Sequence, residues 1–510
     1  MRDKIKELKS EKKTSSEGPE KLLDIMKILA EGCIRKVNRL NTKLSQSIIS
    51  ATESKNIENT VRSVVLSLNQ LHTFLRYIDA TRLSRNPTGM IKPWELLIKK
   101  YNKNVNIIIR PQWKYNWSYY NIIKEFRNIN DIIGDQESKE EIQKMGLYFP
   151  ILSFAGLERD NVLLHIILAH EIGHFIDESK DVSSIVKHSE EIIKVLNTEP
   201  ISEKLKRLYD LSVNIMKASI ESTLGAQSDL FIQHEAVSQA QNELIYKIKT
   251  WLEEITADLI AIRIIGPSFI FALYQTNLAH VSKRGPVGDY PPPQVRIDKC
   301  IDYWDIVDAE DRFFEIKETE VSNHKRIKEC IKKYLEHIKQ KEMEVNDIKP
   351  MEAEIIQETP TIDKLKDERY KLLNEIIERA VENPLNSISD FINKEIPAFK
   401  IDNNIFELIE LLRNRISPVY AKREENLSIL TDCDIASILN AGWIFWLTHE
   451  RELAQEKDNA AEVVSPDKLR TKYYEPLVEI SNLVLKGIEL TDFNAQFSER
   501  KEKQRTPKKN

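Results

Sequence analysis

The segment Asn161-Val-Leu-Leu-His-Ile-Ile-Leu-Ala-His170-Glu171-Ile-Gly-His174-Phe-Ile-Asp177 decides how this chain is read. Its apolar flanks predict a buried helix. Inside it stands His-Glu-x-x-His. Positions four apart share a helix face, so His170 and His174 present two imidazoles to one metal ion, and zinc is the ion this spacing suits. Glu171 lies beside them, placed to act on a metal-activated water. The competing reading is a surface helix with two incidental histidines. The apolar flanks argue against it, because burying two imidazoles and a carboxylate is costly unless something satisfies them.

A second segment supplies acidic groups: Trp251-Leu-Glu-Glu254-Ile-Thr-Ala-Asp258-Leu-Ile-Ala-Ile-Arg-Ile-Ile-Gly266-Pro267. It also reads as a buried helix, closed by Gly-Pro. Glu254 and Asp258 are four apart, and like charges on one helix face repel. A nearby cation, or an imidazole that ligates one, would relieve them. Glu253 competes with Glu254 but has no acidic residue four positions on.

His-Glu-x-x-His followed downstream by Glu254-Ile-Thr-Ala-Asp258 resembles the gluzincins, the thermolysin- and neprilysin-like metallopeptidases. Asp258 and the apolar run to Gly266-Pro267 are also similar to a block of the ImmA/IrrE-like peptidases, which carry Asn at the Asp258 position. The resemblance covers chiefly residues 147–300. It implies that Glu254 is the third Zn2+ ligand and that Asp258 orients His170 through its free ring nitrogen. The metzincin extension His-Glu-x-x-His-x-x-Gly-x-x-His fails here, with Asp177 at the Gly position and Lys180 at the last ligand position. Asp177, one turn after His174, either supports the ligands from behind or faces solvent.

Leu147-Tyr-Phe-Pro-Ile-Leu-Ser-Phe-Ala155 is rich in strand formers, and its Pro suits an edge strand. In zincins such an edge aligns an extended peptide substrate by strand addition. Val105-Asn-Ile-Ile-Ile-Arg110 is a second strand candidate. The aromatic cluster Trp113, Tyr115, Trp117, Tyr119 and Tyr120 follows it, as core packing or as a substrate wall.

After a helix expected over 268–280, the loop Lys283-Arg-Gly-Pro-Val-Gly-Asp-Tyr290-Pro-Pro-Pro-Gln-Val-Arg296 breaks regular structure. Several zincin families carry His-Pro-Pro and a following Arg near the active site, and this loop looks similar with Tyr290 in place of His. Tyr290 is a candidate donor to a developing oxyanion, with His280 and Arg296 as alternatives, Arg296 also as a substrate-binding residue. A surface turn with a structural Arg is the competing reading.

Composition bounds the rest. The chain has 510 residues, 30% of them charged, with 13 glycines and a net charge of −5. That balance suggests a soluble, mainly helical protein and excludes a nucleic-acid surface as an expectation. Without an apolar run of about 18 residues, no membrane span is expected. The N-terminus lacks the apolar core of a secretory signal. Cys33, Cys300, Cys330 and Cys433 form no close pair, so a reducing cytoplasm is the expected setting.

The expected fold is mainly α with a small antiparallel β-sheet: a zincin-like catalytic domain flanked by helical domains. Residues 1–20 read as a disordered tail and 21–89 as an N-terminal helical region with a turn at Arg85–Gly89. The catalytic unit spans 90–305, with a helical insert at 180–250 that is either a lid or scaffold. Residues 306–360 read as a charged helix and linker, 361–495 as a C-terminal helical domain and 496–510 as a basic tail. His449-Glu450 lacks a second His, and no phosphate loop or internal repeat is present. The expected function is an intracellular zinc metallopeptidase acting on peptide or protein substrates, with Glu171 as general base. The alternative is a zinc-binding pseudo-enzyme or scaffold whose helical arms bind protein partners.

Overall fold

The computed structural model describes residues 18–46, 50–81, 88–102, 105–144, 148–159, 161–221, 229–281, 290–309, 329, 331–333, 335–336, 362–398, 405–424, 427–431, 435–455 and 478–491. Positions 1–17 of the expected tail 1–20, most of the charged helix and linker between 310 and 361, and the basic tail at 496–510 lie outside these residues, whereas positions 18–20 are already helical. So do positions 85–87 of the expected turn and positions 282–289 of the loop before Tyr290. The chain is mainly helical with a small sheet. Its contacts group into two units, residues 1–175 with 404–510, and residues 176–403.

The first unit opens with two long helices, α1 (Gly18–Gln46) and α2 (Ala51–Ala80). Ser50 starts α2 by accepting from the Glu53 N–H at 3.2 Å. Then come α3 (Thr88–Tyr101), β1 (Ile108–Gln112), β2 (Ser118–Asn121), α4 (Ile122–Ile133), α5 (Gln136–Lys144) and β3 (Pro150–Ala155). Leu22, Met26, Leu29 and Cys33 on α1 repeat every three or four residues, as do Ile122, Phe126, Ile129 and Ile133 on α4. Each set therefore forms one apolar stripe. These stripes bury against Leu71, Phe74, Leu75 and Ile78 of α2 and against Ile108 and Ile151 of the sheet. Gly134, in the left-handed conformation at φ 64°, ends α4. Asp135 follows and accepts from the backbone N–H of Ser138 at 3.1 Å, capping α5. Arg35 of α1 grips the same carboxylate with two N–H groups at 3.2 and 2.7 Å.

The sheet corrects two expectations. Its order is β1-β3-β2. β1 runs parallel to β3 and β2 antiparallel, so it is mixed rather than antiparallel. β3, expected at an edge, is the central strand, and all six of its residues are buried. Pro150 is tolerated there because it is the first strand residue. Strand addition along β3 is therefore closed, because both of its sides are already paired.

After β3 the chain makes two 3-10 turns, Gly156–Glu158 and Leu164–Ile167, and enters α6 (Leu168–Lys180). Further along the sequence, the first unit includes α13 (Ile405–Arg413), a hairpin of β4 (Tyr420–Glu424) and β5 (Leu427–Thr431), α14 (Ile435–Gln455) and a helix over 478–491. Trp443 of α14 donates its indole N–H to the Leu163 carbonyl at 3.1 Å. Gly442 lies against Leu163 and Val484, where an added Cβ would come within 2.8 Å of either side chain. Ser481 bonds Asn161 at 3.1 Å. The C-terminal helices thus brace the segment that leads into α6.

The second unit holds α7 (Ser189–Leu196), α8 (Ile201–Glu221), α9 (Asp229–Ile265), α10 (Ser268–Val281), α11 (Pro293–Ala309) and α12 (Ile362–Glu395). α9 is one helix of 37 residues. The expected insert and the acidic-motif helix are therefore continuous along it. Gly266, at φ 85°, ends α9 and returns its N–H to the Ile262 carbonyl at 2.7 Å. α12 packs along α7, α8 and α9. Arg369 of α12 donates to Ser212 of α8 at 2.7 Å and to Glu243 of α9 at 2.6 Å. Arg263 of α9 reaches the Ile396 and Asn393 carbonyls at 2.9 Å each. The described residues of the segment 180–250 thus pack into the helical core of their unit. Residues 361–495 are shared between the units: α12 belongs to the second, and 405–491 belong to the first.

Candidate metal centre

α6 carries His170, Glu171 and His174. Their spacing does what it predicts. The two imidazoles stand one turn apart, with ring centroids at 4.5 Å and planes at 79°. His170 and Glu171 are buried and His174 half-buried. Neighbouring α6 residues fix the helix on the sheet: Phe175 stacks edge-on with Tyr148 at 5.8 Å and lies 6.5 Å from Tyr119 of β2. Of the aromatic cluster, Tyr119 therefore packs against α6 and Trp117 is buried, whereas Trp113 is fully exposed. Tyr115 donates to Glu158 at 2.9 Å, and burial, together with that carboxylate, pushes its hydroxyl up to about 12.

Glu254 and Asp258 project from α9, and Asp258 is completely buried. Glu253, a third of a turn away, faces elsewhere and lies 3.7 Å from Lys249. Potential ligand atoms of His170, His174 and Glu254 all lie within 4.8 Å of one another, which makes the three a candidate metal group among the described residues.

Arg296, near the start of α11, has a different place from the one expected of it. Pro293 opens that helix, as Pro favours the first helical position. Arg296 then donates Nε to one oxygen of Asp258 and Nη2 to the other, each at 2.7 Å. Its Nη1 lies 3.4 Å from Glu254. Burial works against this guanidinium's charge, yet the fields of Asp258 and Glu254 outweigh it and hold its pKa above the ordinary value. The cation that the acidic pair demands is therefore supplied from within the chain. A role in binding substrate or oxyanion does not fit a guanidinium forked onto Asp258. The sequence signal for the pairing was the i, i+4 acidic pair itself, which announces a cation without saying which one. Cys300, a helical turn further, is a buried free thiol pushed well up by burial and by the Asp258 charge.

The other expected residues are placed as follows. Asp177 is buried and accepts from Ser183 twice, from its N–H at 2.7 Å and from its hydroxyl at 2.6 Å. It clasps the turn that follows α6 and does not face solvent. Tyr290 is 56% exposed, just ahead of α11. His280 falls on α10, and its side chain lies outside the described residues. No helix among the described residues is long and apolar enough to cross a membrane. No protein-family model matches the chain, and comparisons with curated proteins and with solved structures return no match.

Proposed function

We propose that the chain is a zinc-dependent peptide hydrolase of gluzincin type. The observation that carries this reading is the convergence of His170, His174 and Glu254 within 4.8 Å. Two imidazole nitrogens and one carboxylate oxygen form a donor set of the kind that leaves zinc an open position, as in catalytic rather than structural sites. His170 and Glu254 are buried and His174 half-buried, so a bound ion there would be largely screened from water.

Zinc bound there would act as a Lewis acid and lower the pKa of water towards about 7. Glu171 would take the proton of the attacking water and deliver it to the leaving amine. Its burial shields that proton from bulk solvent. Tyr290 and His280 remain the candidates to donate to the developing oxyanion, since Arg296 is engaged by Asp258. The two described cysteines, Cys33 and Cys300, are free and buried, which supports a reducing setting such as the cytoplasm.

A second reading has one observation in its favour. Arg296 lies 3.4 Å from Glu254, so a guanidinium already offers that carboxylate a positive charge. In that reading the chain is a non-catalytic scaffold. The test is Glu171→Gln beside the wild type, with bound zinc measured by mass spectrometry and hydrolysis read on a proteome-derived peptide library. The variant keeps its zinc and loses about 10²–10⁴-fold in rate. A fully active variant overturns the proposal. A wild type that cleaves nothing, with or without bound zinc, selects the scaffold.

A further inference from the structure

Arg110 of β1 projects from the sheet face that packs against α2. Its guanidinium carbon lies 3.8 Å from the centroid of the Tyr77 ring. Its Nε is buried without a hydrogen-bond partner, and no carboxylate among the described residues forms an ion pair with this guanidinium. Burial lowers its pKa, yet an arginine stays protonated throughout the range in which proteins work. Stacking on Tyr77 offsets only part of the cost of holding a charge out of water.

The neighbours of Arg110 suit an anion. Sheet register aligns it with Ser153 of β3, and aligns Ser153 in turn with Ser118 of β2. Residues opposite one another across strands leave the same face about 4.8 Å apart. The row thus places Arg110 next to Ser153 and one strand further from Ser118, all three on one face, with Ser153 buried and Ser118 half-buried. Tyr77 closes one side. Glu125 of α4, on the same side of the sheet, is already engaged by Gln70 at 2.6 Å and by Tyr120. Tyr119, which packs towards α6, belongs to the opposite face, so this row is separate from the candidate metal centre.

We propose that Arg110, Ser153 and Ser118 form a binding site for a compact oxyanion, a carboxylate or a phosphate, on the α2 side of the sheet. An arginine fork matches both chemistries through two parallel N–H bonds. The test uses the full chain in chloride buffer, titrated at constant ionic strength with inorganic phosphate in one arm and succinate in the other. Thermal unfolding and calorimetry are read. One arm gives a saturable rise in melting temperature, and which arm it is names the source. Arg110→Met abolishes the rise. Arg110→Lys keeps the charge but loses the fork, weakening affinity about tenfold. Ser118→Ala, at a half-buried position that keeps the fold, weakens it as well. No saturable rise in the wild type beyond the chloride control overturns the proposal, and so does an undiminished rise in Arg110→Met.

Discussion

Arg296 and Arg110 occupy two regions of the molecule on opposite electrostatic terms. Arg296, between α9 and α11, is forked onto Asp258 by two 2.7 Å bonds, and its pKa is raised. Arg110, between β1 and α2, has an aromatic ring in place of a carboxylate, and its pKa is lowered. Both are half-buried. The difference teaches that burial alone does not set the fate of a charge. What matters is whether the fold brings an opposite charge to it, because the cost of removing an ion from water is recovered only by a well-placed partner.

The sharpest way to break this contrast is Arg296→Met. It leaves Asp258 as a buried carboxylate without its cation and lowers the free energy of unfolding by about 3–5 kcal/mol in a denaturant titration. Adding Asp258→Leu recovers much of the loss, because the pair then leaves together. A single-variant loss under about 1 kcal/mol would mean that Asp258 has another adequate partner.

The Arg35–Asp135 pair is intermediate, with its guanidinium 35% exposed and its carboxylate 8%. Arg35, helped by Ser138, holds the Asp135 carboxyl down at about 2. A carboxyl depressed in the folded state contributes stability above its ordinary pKa near 3.9 and loses it as pH falls towards the folded value. The contribution, about 1–2 kcal/mol after allowing for the exposed partner, therefore fades between about pH 4 and 2. In Asp135→Asn that share of the acid dependence disappears, read from unfolding curves at several pH values.

The smallest effect belongs to Arg110→Met in anion-free buffer. Stability stays within about 1 kcal/mol of the wild type or rises, since an unpaired charge is removed and the apolar stem remains. A loss as large as that of Arg296→Met would erase the contrast.

Much of the site was legible before folding was considered. The helix at His170–His174 and the apolar stretch around Glu254 follow from spacing, and spacing is local. The position of β3 was misread, although its residues carried a signal. Pro150-Ile-Leu-Ser-Phe-Ala155 does not alternate between apolar and polar, as a strand buried on both faces need not. The length of α9 was also readable, since Asp229–Ile265 contains neither Gly nor Pro to break it. The role of Arg296 was not, because its carboxylate lies 38 residues away along the chain.

By itself the sequence determined the two imidazoles one turn apart, the buried glutamate beside them and the acidic pair on a second apolar helix. Each depends on neighbours within a turn or two, where backbone geometry leaves little choice. Tertiary structure alone decided the order β1-β3-β2, the fork of Arg296 on Asp258 and the seating of Arg110 on Tyr77. Those depend on which distant segments meet, and a side chain's charge states what it requires without stating where the chain will provide it.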